Sequence, residues 1–471
     1  MKRRTSWIIL CTLLMFLVTP GYAQDNPPAH KKLASISPKK IAAFRTELEQ
    51  DGFIVKEGSF GTVDVVTLCC SGVLPSCLGN NGNFPYLMFT IPPGEGQTVG
   101  KTNPWTFQLR PDEAIVLIGR TPPPVSYFSY RSYLMTRYYA SDQTRKKIFA
   151  SLGDTLNDLT IKTKGMRAGD PFDQDTIIVT TADSGIDKRI RKAARRAGLQ
   201  EDIINTDIIP SSAVKLGFNS DSDEFAFLHR IALPKYGYED EVSAYLQNPG
   251  GVVLRVTPVT PAAVDPYSMP RLRVRGTGVT EIDLMDDLDD LRQAILAKYT
   301  GLQATDLVAS VWLTEGFDAI QRGINGLGEN RDTTYLKADP LFTLSEDPND
   351  FLIVYGVNHE ATGKATYANF TVYGADLLIG VASAHSRDFW GSAQDYISGQ
   401  PETNYLYAWK VARHCNGEAH CTEVPIGDCP GLALDEQIFV VFRAYLERGT
   451  KVGPAYPEIV YDRAIKFSLS Q

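Results

Sequence analysis

The chain of 471 residues has little of what announces a particular chemistry: 7 cysteines, 6 histidines, 7 methionines and 5 tryptophans. It has no Gly-x-Ser-x-Gly, which removes the strand-to-helix serine nucleophile, and no His-Glu-x-x-His, which removes the helix-borne zinc pair. It has no basic excess either. With 47 Lys and Arg against 55 Asp and Glu the formal charge is −8, which argues against nucleic acid and anionic membrane as general partners. Apolar runs long enough for a membrane span, about 18 residues, are missing after the first 26 positions.

Those first positions read "MKRRTSWIILCTLLMFLVTPGYAQDN": a basic start, an apolar centre and small residues at Gly21 and Ala23. This pattern predicts a secretory signal over 1–23, a tail over 24–36 and a secreted or periplasmic mature protein without Cys11. Six cysteines then remain in two clusters of three, Cys69, Cys70 and Cys77, then Cys415, Cys421 and Cys429. If all six pair, as export favours, an odd count per cluster forces at least one bridge between the clusters. A zinc site on His414, Cys415, His420 and Cys421 is the weaker reading, because the spacing lacks a Cys-x-x-Cys signature.

What is present is repetition. "PDEAIVLIGRTPPPVSYFSYRSY" (111–133) aligns with "PNDFLIVYGVNHEATGKATYANFTVY" (348–373), pairing Pro111 with Pro348, Gly119 with Gly356, and Tyr127, Tyr130 and Tyr133 with Tyr367, Phe370 and Tyr373. Three more blocks follow in the same order: 78–87 with 327–336, 223–233 with 435–446, and 249–255 with 457–463. Each copy opens on a helix: Ser37, Pro38 and Gly52 bracket one with Ile41, Phe44 and Leu48 on a face, and Leu291, Ile295 and Tyr299 mark the other before Gly301. The expected fold class is α+β, an internally duplicated sheet-rich unit with flanking helices, the two copies facing each other about a pseudo-two-fold. The expected boundaries are 37–256 for the first copy, with a strand–helix–strand insertion at about 173–215, a Pro-rich linker over 257–283, and 284–471 for the second copy.

Features shared by the copies read as scaffold, so candidate sites are sought where matched positions differ. The turn after the first hairpin strand is Arg120 and three prolines in one copy, but Asn358, His359, Glu360, Thr362 and Lys364 in the other. A histidine beside a carboxylate and an amine supplies an acid, a base and a charge stabiliser, so His359, Glu360 and Lys364 are the catalytic candidates. Asp332 joins them from "ENRD", whose Glu329 and Arg331 also replace neutral residues of the other copy. An internal Arg–Asp pair is the plainer account of that loop. Asn358, Arg331, Glu329, His385, Tyr367, Arg120 and Arg131 form the expected ligand-binding set. Two histidines with carboxylates make a divalent metal conceivable, although no motif specifies one and no cofactor is legible. In the first copy, "TTADSG" precedes a helix bearing Lys188, Arg189, Arg191, Lys192, Arg195 and Arg196; Asp183 or Ser184 reads as its cap, and the basic residues read either as a solvated face or as an anion surface.

Two functions fit. One is an exported hydrolytic enzyme for a small polar substrate, with its site in the second copy. The other is a secreted non-catalytic ligand-binding or structural protein built from a duplicated domain.

Overall fold

A computed structural model describes residues 36–82, 85–97, 103–163, 170–399 and 401–469. The expected signal segment falls outside the described residues. The first copy runs α1 (Pro38–Gln50), β1 (Phe53–Val63), α2 (Val65–Cys70), β2 (Tyr86–Thr90), β3 (Ala114–Arg120), β4 (Val125–Tyr139), β5 (Thr144–Ser151), β6 (Leu156–Asn157), β7 (Asp175–Thr181), α3 (Ser184–Arg196), β8 (Ile204–Ile208), β9 (Glu224–Pro234), α4 (Glu239–Gln247) and β10 (Val252–Pro258). The second runs α5 (Met285–Lys298), β11 (Leu302–Val311), α6 (Gly316–Arg322), β12 (Thr333–Phe342), β13 (Phe351–Val357), β14 (Tyr367–Gly374), β15 (Ile379–His385), β16 (Leu406–Ala412), β17 (Cys421–Glu423), β18 (Ile438–Tyr445) and β19 (Arg463–Leu469).

The duplication is written into the strand order. One sheet is β5-β4-β9-β2-β1-β10-β3-β7-β8, with β6 attached to β4, and the other is β15-β14-β18-β12-β11-β19-β13-β16-β17. Position by position these are the same sheet, down to a parallel pair at one end, β7 with β8 and β16 with β17. The opening helices match too. α1 buries Phe44 and Leu48 against residues of β3, β7 and β10, and α5 buries Leu288, Leu291 and Ile295 against residues of β13, β16 and β19.

Two details of the alignment change. The stretch 173–215, read as an insertion, has a counterpart, because β7 and β8 correspond to β16 and β17. A parallel pair needs a crossover, usually a helix. The first copy supplies α3, whereas the second uses the short segment 413–420 closed by the Cys415–Cys421 disulfide. The last block is out of register by three: Arg255 lies opposite Ile115, and the equivalent Leu352 lies opposite Lys466, not Arg463. The corrected register reveals a repeated ion pair, Arg255 with Glu113 at 2.7 Å and Lys466 with Asp350.

Strand parity explains the tyrosines. Positions three apart face opposite sides of a strand and positions six apart the same side. Tyr130 stacks on His229 at 3.9 Å inside the first sheet's own core, while Tyr127 and Tyr133 turn towards the second copy. Phe370, Tyr367 and Tyr373 divide in the same way. The copies therefore meet through equivalent faces. Arg230 donates to the Gly328 carbonyl and to Tyr133 Oη, and its counterpart Arg443 donates to the Gly79 carbonyl at 3.2 Å and to Tyr373 Oη at 2.7 Å. Each arginine thus holds the Leu-Gly loop of the other copy. Those loops need glycine: Gly79 and Gly328 both have φ +68°, and a Cβ on Gly328 would stand 2.5 Å from the Phe149 ring.

α3 starts where Asp183 Oδ1 accepts from the Ile186 amide at 2.8 Å, so the aspartate is the cap. Its other oxygen accepts from the Asp265 amide and ties the Pro-rich linker to the helix. Asp183→Ala is expected to cost about 1–2 kcal/mol, read as a lower urea midpoint at unchanged slope.

Candidate functional site

The rebuilt turn buries three of its candidate side chains, while Glu360 and Thr362 are half-buried. Asn358, His359 and Lys364 are each at most 3% exposed. His359 Nδ1 lies 2.9 and 3.0 Å from the two carboxylate oxygens of Glu281, a linker residue, and Nε2 lies 3.6 Å from Asp462 Oδ2. Burial opposes the charged ring, but Glu281, with Asp462 behind it, more than offsets this and pushes the His359 pKa up to about 10. The ring is an imidazolium between two carboxylates. A proton held that firmly leaves no base near neutral pH.

Asp462 occupies the position that Gly251 holds in the first copy. Gly356 makes room for it, since a Cβ there would meet Asp462 Oδ1 at 2.6 Å. Lys364 Nζ donates to Glu447 and Glu458, both at 2.6 Å, and to the Val279 carbonyl at 2.8 Å. Burial lowers its pKa, and the two carboxylates more than reverse this, leaving it raised. Glu281 also accepts from Thr362 Oγ1 and from the Val460 amide. The turn therefore clasps linker residues 277–281 to the second copy.

The remaining candidates are dispersed. Glu360 accepts from Ser386 Oγ, and Asn358 Nδ2 donates to the Ser386 carbonyl. His385 lies 3.0 Å from Asp388, with burial as the leading cause of its lowered pKa. Asp332 sits at the junction of the copies, accepting from Tyr127, Thr155 and Asn157. His359, His385 and Asp332 thus belong to three separate clusters.

"ENRD" is not held by an internal Arg–Asp pair. Arg331 pairs with Asp154 at 3.1 Å and with Glu315, and Glu329 accepts from the Ser151 amide at 2.8 Å. Its partners lie largely in residues 151–158 of the first copy, "SLGDTLND", so two polar segments far apart in sequence are halves of one interface. Burial raises the pKa of both Glu329 and Asp332. Arg120 pairs with Asp173, Arg131 pairs with Asp207, and Tyr367 is core.

The basic face of α3 is largely paired: Lys188 with Asp265, Arg191 with Asp187, Arg195 with Glu201, and Arg196 with Glu47 and Asp51. The zinc reading is overturned because Cys415 and Cys421 are bonded to each other. Among the described residues, the one group with metal-ligand spacing is Cys69, Cys70 and Cys429, and all three sulfurs are in disulfides.

Two concave regions among the described residues bear on function. A groove of about 880 Å³ in the second copy lies beside α5 and β11, with Asp462, Tyr355, Tyr456 and Tyr461 in its wall. A smaller cavity of about 60 Å³ lies where the copies meet, walled by Tyr86, Met135 and Arg230 from one and Trp312, Tyr335 and Arg443 from the other. Glu281, Asp462, Arg230 and Arg443 were not among the expected site residues. The repeat alignment, which pairs Arg230 with Arg443, carries the available signal for the last two.

No protein-family model matches the chain, and no curated protein matches it. Among solved structures, it is similar to the VPA0106 protein of Vibrio parahaemolyticus, with TM-score 0.38 and 10% identity over 83% of this chain and 90% of that one. It is likewise similar to an uncharacterized protein from Burkholderia cenocepacia, with TM-score 0.37 and 10% identity over 91% of this chain and 85% of that one.

Proposed function

We propose that this is an exported, non-catalytic binding protein that takes a small molecule at the junction of its two copies. One contrast carries the reading. The polar side chains marked for catalysis are engaged by internal partners, whereas the junction cavity is walled by matched residues of both copies. Binding sites commonly form where two units meet, with a few polar groups on apolar walls. Export is supported by the three disulfides, which persist in oxidising compartments.

The test is a thermal-shift screen of the mature protein against chemically varied small molecules, with Met135→Trp to fill the cavity. Ligands that raise the melting temperature of the wild type but not of the filled variant are the expected result. Equal stabilisation of both, or none of either, sinks the proposal. Intact mass after expression with the leader checks export, with Gln24 expected as the first residue.

The hydrolytic reading keeps one observation in its favour: the large groove has Asp462 in its wall, 3.6 Å from His359. Turnover of ester, amide or phosphoester substrates by the wild type, lost in Asp462→Asn, would revive it.

A further inference from the structure

Among the described residues six arginines are buried, and three of them have a carboxylate: Arg131 has Asp207, Arg255 has Glu113, and Arg331 has Asp154 and Glu315. Arg413 is another solution, since its guanidinium donates to four backbone carbonyls, those of Leu344, Pro425, Leu432 and Ala433. Arg230 and Arg443 have neither arrangement. Both are at most 5% exposed, and among the described residues neither has a carboxylate within ion-pair distance. Arg443 Nη1 has no hydrogen-bond partner at all.

What surrounds these cations is aromatic. The Arg230 guanidinium lies 4.9 Å from the Tyr133 ring centre and 5.8 Å from that of Tyr86, and Arg443 lies 5.5–6.0 Å from those of Tyr373, Tyr335 and Trp312. Ring faces attract a cation through their quadrupole. They do not neutralise it, and two like charges on one small cavity, largely out of water, carry a desolvation penalty and repel each other. An anion between them would satisfy the free Nη1 and cancel charge supplied equally by the two copies.

The cavity also sets size and kind. A volume of about 60 Å³ limits the occupant to a small molecule of a few heavy atoms. Away from the guanidinium groups the wall is mostly apolar, with Leu78, Met88, Met135 and Leu228 beside the amides of Asn80 and Asn81. A fully hydrated inorganic oxyanion suits the charge but not that wall. We infer that the junction cavity binds a short-chain organic carboxylate, its carboxylate between Arg230 and Arg443 and its alkyl part against the methionine and leucine side chains. This rests on the junction-binding reading and names its ligand class.

The test is calorimetry on the mature protein with sodium butyrate, butyramide and sodium sulfate at matched ionic strength. Saturable butyrate binding, at least tenfold tighter than butyramide and weakened at least tenfold in Arg443→Gln, is expected. Lys192→Gln, which removes an exposed cation elsewhere, should leave the affinity unchanged. If butyramide binds as tightly as butyrate and Met135→Trp abolishes both, the junction site stands and the carboxylate assignment is overturned. Sulfate binding more tightly than butyrate overturns the organic class. If no probe binds and the library screen is also empty, both readings fall. Should Arg443→Gln not fold, wild-type crystals soaked in bromide decide the anion question: an anomalous peak between Arg230 and Arg443 is expected, and its absence there overturns the proposal.

Discussion

His359→Ala is expected to cost about 3–5 kcal/mol of folding stability, because removing one partner of a buried ion pair strands the other. Here the substitution strands Glu281 and leaves Asp462 without its cation, both with almost no access to water. A loss below about 1 kcal/mol by denaturant titration would mean that the clasp is decorative. The pH dependence is a second, independent signature. The folded-state pKa of His359 is raised to about 10, so its contribution is fully present below the unfolded value of about 6.5 and is lost as pH rises through 10. Glu281 works at the other end. Burial alone would raise its pKa, but the imidazolium and three hydrogen bonds leave it lowered, so its contribution is present above the ordinary glutamate range and fades as pH falls through the folded value. Wild-type stability should therefore decline from about pH 6.5 to 10, and His359→Ala should flatten that slope.

The second large effect concerns Cys70–Cys429, which closes a separation of 359 residues and joins α2 of the first copy to the second copy. Replacing both cysteines by serine is expected to cost about 6 kcal/mol on the chain-entropy argument, since the bridge denies the unfolded chain most of its long-range freedom. Cys415–Cys421 spans a separation of 6, and the same entropy argument gives about 2 kcal/mol for its removal. Denaturant melts of the two double variants provide the check. Equal losses would show that local packing, not loop length, sets the value of these bridges.

Much of the scaffold was legible in the chain. Matched blocks in matched order announced the duplication, because strands that occupy equivalent places keep equivalent burial patterns, as β3 and β13 do. Cysteine parity required a bridge between the clusters, since three thiols cannot pair among themselves. Helix boundaries followed from Pro38, Gly52 and Gly301, which act locally.

The sites were not legible in the same way. Asn358 to Lys364 read as a reactive turn because nothing local shows that linker residues 277–281 lie over it, or that Asp462 stands where the other copy has glycine. "ENRD" looked self-paired because its partners are about 175 residues away. By itself the sequence determined what is periodic or local: the repeat, the helix ends, the count of thiols. Only the tertiary structure decided which charges are paired. Pairing is a long-range property, and the same histidine is a base in water and a fixed cation between two buried carboxylates.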